Sequence, residues 1–86
     1  MTTETSVKVP MMYEIILASH MTDLYLKSDM TAEPADLIDP AIAKSKVISV
    51  LPDEVKAELK RIFLEEWLVD GSFHNYVADT LNGDVM

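Results

Sequence analysis

Only two glycines, Gly71 and Gly83, interrupt this 86-residue chain, and that scarcity constrains its fold more than any other feature. A β-barrel or sandwich turns about every 8–12 residues and draws on glycine at many of those turns. The same scarcity excludes a glycine-rich phosphate loop, since neither glycine stands in a nucleotide-binding pattern. Apolar types make up 49% of the chain and charged types 26%, the balance of a globular protein rather than a disordered one. The reading is all-α: one small domain with three main helices packed as a bundle and a short C-terminal helix.

Prolines, Asp70-Gly71 and Asn82-Gly83 set the expected boundaries. Residues 1–9 read as a flexible lead, and Pro10 suits a first helical turn. A helix is predicted over 11–28, with Tyr13, Leu17, Met21, Leu24 and Tyr25 on one side and Ser19, Thr22, Asp23 and Lys27 opposite. Met11, Ile15 and Leu26 widen its apolar arc, so it is either central to the bundle or in contact with a partner. Residues 29–39 read as a connector with room for one turn at 35–38. Asp39-Pro40 is a start signal for a second helix over 40–50, with Ala43, Val47, Val50 and Leu51 on one face. A short strand over 46–51 is the alternative, though it lacks a partner strand. Pro52-Asp53-Glu54 opens a third helix over 53–69, where acids meet the positive end of the helix dipole. Its main stripe is Val55, Leu59, Ile62, Phe63 and Trp67, and a second stripe is Ala57, Leu64 and Leu68. Asp70-Gly71 stops it, Ser72 caps a last helix over 73–81, and Asn82-Gly83 ends that one.

Fifteen acids against seven Lys and Arg leave a net charge of −8. Such a chain is repelled by phosphate backbones, so direct binding to nucleic acid or anionic lipid is not expected. The charge is unevenly placed: net −5 over 1–43, +2 over 44–61 and −5 over 62–86. A basic middle between acidic ends suits self-complementary docking. The polar start and the brief apolar run at 15–18 provide neither a secretory signal nor a membrane span, which points to a soluble, cytoplasmic protein.

Cysteine is absent, which removes disulfides, thiolate metal sites and cysteine nucleophiles. His20 and His74 fall in no metal-binding spacing and read as surface or partly buried residues. The serines stand in no nucleophile elbow. Glu14 and Glu66 are the unusual acids, because each falls by angle on the apolar face of its helix. Such residues are either perturbed functional groups or acids at a bundle rim that reach water or a hydroxyl. A helix-turn-helix over 40–51 and 53–69 is disfavoured, since Asp53, Glu54 and Glu58 offset Lys56, Lys60 and Arg61. Met11, Met12, Met21 and Met30 read chiefly as core fillers.

These features point away from an enzyme and away from any cofactor. They predict a small acidic protein–protein interaction module, an inhibitor or nucleic-acid mimic that acts on a basic partner surface. A structural or assembly subunit of a homo-oligomer is the alternative. The expected interface is either an acidic patch that includes Glu33, Asp36 and Asp39, or the second apolar stripe of Ala57, Leu64 and Leu68. A further acidic patch comprises Asp70, Asp79 and Asp84.

Overall fold

Pro10 sets the entry to the first helix: with φ −57° and ψ 140° it stands just outside α1 (Met11–Lys27), and its carbonyl accepts the Tyr13 N–H at 3.0 Å. The computed structural model describes residues 8–83, all of whose regular structure is helical, in four helices. Of the lead expected over 1–9, residues 1–7 lie outside the described residues, and Val9 packs against the core.

Helix α1 is central. It packs most extensively on α2 and on another side meets α4, so its buried face is broad: Leu17, Ala18, Met21 and Thr22. Thr22 was expected on the polar side. It is buried because Tyr76 and Thr80 of α4 come up against that side. The helix closes without glycine. Met30 donates to the Tyr25 carbonyl at 2.9 Å and Asp29 to the Leu26 carbonyl at 3.0 Å, the paired bonds of a Schellman end. Asp29 and Met30 consequently sit at φ 58° and 63°, left-handed conformations that side chains resist.

The second helix is displaced from its expected place. α2 runs Pro34–Lys44, starting on Pro34 rather than Asp39-Pro40, and carries Pro40 inside it. Proline fits the first turn at Pro34, while the backbone acceptor that Pro40 leaves without an N–H belongs to exposed Asp36. Ile38 and Ala41 form its buried face. The helix stops at Ser45, whose buried hydroxyl accepts the Ile48 N–H at 3.0 Å and so offers the backbone an alternative to another helical turn. Residues 46–50 are turns, neither helix nor strand. They send Ile48 into the core and leave Val47 and Val50 exposed, as is Ala43 on α2, against the expected face.

Helix α3 (Asp53–Ile62) starts where expected, with Asp53 and Glu54 in its first turn and Lys60 and Arg61 in its last. It does not run on regularly to 69. Phe63–Trp67 form a π-helical turn, in which Leu68 donates to the Phe63 carbonyl five residues back at 2.9 Å. That turn takes up an extra residue and rotates the segment after it. Leu68 therefore leaves the second stripe and packs half-buried against the core, while Ala57 and Leu64 stay outside it, both exposed. Glu66, expected on the apolar face, turns outward for the same reason.

Gly71 at φ 82° makes the corner into α4 (Ser72–Gly83). A Cβ there would meet nothing within 4 Å, so backbone conformation rather than space favours glycine. The acceptor at the start of α4 is Asp70, which takes the Ser72 N–H at 2.9 Å; Ser72 itself is the first helical residue. Leu17, Met21, Ile38, Ile48, Leu59, Phe63 and Phe73 fill the core. Core filling holds for Met21 alone among the four early methionines, since Met11, Met12 and Met30 are 69%, 61% and 50% exposed.

Candidate docking groove

The start of α1, the π turn and one face of α4 enclose an open groove of about 390 Å³. Helical spacing builds its walls. Met11 and Glu14 are three apart on α1, while Ser72, Asn75, Tyr76 and Asp79 follow the three- and four-residue rhythm of one α4 face. Glu66 and Trp67 come from the π turn and Asp70 from the corner.

Trp67 organises the floor. Its ring stacks on buried Phe63 with centroids 4.7 Å apart and planes 14° apart. Its indole N–H donates to Glu14 Oε1 at 2.9 Å across 53 residues of sequence. Tyr76 meets it edge-on, with centroids 6.1 Å apart and planes at 60°. The stack and the hydrogen bond fix the indole in orientation, and the ring remains half-buried rather than covered.

Four carboxylates line the groove (Glu14, Glu66, Asp70 and Asp79), and among the described residues no Lys or Arg does. Hydrogen bonding from Ser72 holds the Asp70 carboxyl below the ordinary aspartate value, so it is charged at neutral pH. The cations of the basic middle, Lys46 excepted, are engaged elsewhere. Lys44 and Lys27 share Asp23 at 2.7 and 3.3 Å, and Lys60 reaches Asp39 on α2 at 3.0 Å. Lys56 pairs with Asp53, and Arg61 pairs with Glu58 and Glu65. These pairs are exposed and individually worth little, but they decide where uncompensated charge remains.

The expected interface residues are not brought together as one surface. Glu33 and Asp36 lie near the start of α2, both exposed, whereas Asp39 is tied to Lys60. Ala57 and Leu64 are exposed, and Leu68 turns inward. Asp70 and Asp79 of the further acidic patch do converge on the groove, and Asp84 lies outside the described residues. His74 packs edge-on to Tyr25 and Phe73, His20 is half-buried, and no group of three metal-ligating side chains forms among the described residues.

The Glu14–Trp67 pair was only half visible in the sequence. An acid on an apolar helix face needs a donor, and water or a tyrosine hydroxyl was the one expected; the donor is the Trp67 indole N–H. Compared with protein-family models, curated proteins and solved structures, the chain matches none. No helix among the described residues is long and apolar enough to cross a membrane.

Proposed function

We propose that the protein is a small, non-enzymatic protein–protein interaction module whose acidic groove docks a basic surface of a partner, in the manner of an inhibitor or nucleic-acid mimic. The observation that carries this reading is the groove itself: two aromatic rings and four carboxylates with no lining cation among the described residues. Charge of one sign around a concave surface raises the local concentration of oppositely charged partners and speeds their association. Poly-L-lysine and poly-L-arginine serve as probes. Their binding weakens steeply from low to moderate salt, and a Glu66→Gln, Asp70→Asn, Asp79→Asn triple variant binds more weakly with a shallower salt dependence. Binding that is flat with salt, or indifferent to the triple variant, counts against a docking role for the groove.

A homo-oligomeric assembly subunit is the second reading, and one feature favours it. The turns at 46–50 expose Val47 and Val50 at 47% and 78%, next to Lys46, which forms no ion pair among the described residues. Light scattering separates the readings: a monomeric mass favours the hetero-complex. A discrete oligomer that Val47→Glu or Leu64→Glu dissolves, with helicity retained, favours the assembly subunit.

A further inference from the structure

Resting on the reading of the groove as a docking site for a basic partner, we infer that its recognition unit is a single arginine side chain, seated on the Trp67 and Tyr76 rings with its guanidinium between Glu66 and Asp79. The volume of about 390 Å³ suits one long side chain with its flanking backbone rather than a folded element. The two rings, at 60° to each other, provide aromatic surface for a cation and for the apolar stem behind it.

Arginine fits better than lysine on two grounds. The carboxylates reach the groove from separate elements, Glu66 from the π turn and Asp79 from α4, with Asp70 at the corner between them. A planar fork with five donors engages several such acceptors at once, whereas an ammonium is a compact point charge. A guanidinium also stacks on an indole face and sheds its water more readily. The site is prepared for this. Phe63 and Glu14 already hold Trp67 in place, so little of the binding free energy goes into ordering it.

Trp67 is the chain's one tryptophan, so its indole N–H resonance reports on the groove alone. Three blocked pentapeptides are the probes: Gly-Ser-Arg-Ser-Gly, its lysine counterpart and its neutral citrulline counterpart. The arginine peptide is expected to move the Trp67 resonance saturably and to bind about fivefold to tenfold more tightly than the lysine peptide, with no response to citrulline. Glu66→Gln and Asp79→Asn, both at exposed positions, each weaken arginine binding while the circular dichroism spectrum stays unchanged. Equal binding of lysine and arginine overturns the inference and leaves the broader reading standing. So does an arginine response that neither variant alters. If the arginine peptide leaves the Trp67 resonance unmoved while polycations still bind with salt dependence, the recognition unit lies outside the groove and the inference fails. If polycations fail to bind as well, both readings fall.

Discussion

Where α1 meets α2, Asp23 lies between Lys44 at 2.7 Å and Lys27 at 3.3 Å, and the apolar layer beneath (Leu17, Ala18, Ile38, Ala41) is fully buried. Where α1 meets the π turn and α4, Glu66, Asp70 and Asp79 line an open groove without a cation among the described residues, and Trp67 is only half covered. One region has both its apolar surface and its charges matched within the chain. The other has a fixed aromatic floor and an excess of one charge. A domain of this size draws its stability from the first kind of region, and the second is free to serve recognition because the fold does not depend on covering it.

That contrast is tested most severely by truncation. Leu17→Ala, in the matched region, is expected to destabilise by ~2–5 kcal/mol, through lost burial and the cavity left behind. Trp67→Phe keeps an aromatic ring over Phe63 but loses the indole donor to Glu14, and is expected to cost about 1 kcal/mol because the pair is only part-buried. Urea denaturation measures both. If Trp67→Phe costs as much as Leu17→Ala, the groove is part of the core and the two regions do not differ in kind.

The matched region was harder to read from sequence than its regularity suggests. Helix α1 was legible almost to the residue, because periodicity and Pro10 agree. α2 was not, because Pro34 read as part of a connector and Asp39-Pro40 as the start. Asp39-Pro40 has the better local signal, yet starting at Pro34 puts Ile38 and Ala41 on α1, and tertiary burial outweighs a capping preference of about 1 kcal/mol. In the groove region the acids Asp70 and Asp79 and the unusual placement of Glu14 were visible. The π turn was not: Phe63–Trp67 is an ordinary helical sequence, and only its packing shows the extra residue that turns Leu68 inward and Glu66 outward.

A smaller effect arises at the end of α1. Asp29 occupies the left-handed position of the Schellman end at φ 58°. Asp29→Gly relieves that strain, offset in part by the greater freedom of glycine in the unfolded chain, for a net gain of about 0.5 kcal/mol. A higher urea midpoint with an unchanged slope is the expected result. A loss of stability would mean that the Asp29 carboxylate contributes an interaction that outweighs the strain.

The smallest effect distinguishes the two regions by their charge. Asp23 is held below the ordinary aspartate value first by the Lys44 ammonium and then by Lys27, whereas Asp70 is lowered by Ser72, a neutral donor. In both cases the folded value lies below the unfolded one, near 3.9. Each carboxylate therefore adds stability that is fully present above that pH and is lost as pH falls through the lower folded value. Asp23→Asn and Asp70→Asn are expected to be less stable than the parent at neutral pH and to converge with it as pH falls through the folded value, where the parent is protonated too. Added salt separates them. It shrinks the Asp23→Asn difference, because screening weakens attraction between exposed ions, and leaves the Asp70→Asn difference nearly unchanged, because its partner carries no charge. Urea denaturation at two salt concentrations across this pH range reads all of these. Equal salt sensitivity in the two variants would mean that Asp70 is stabilised by a distant cation, and that the groove is less bare of positive charge than its lining indicates.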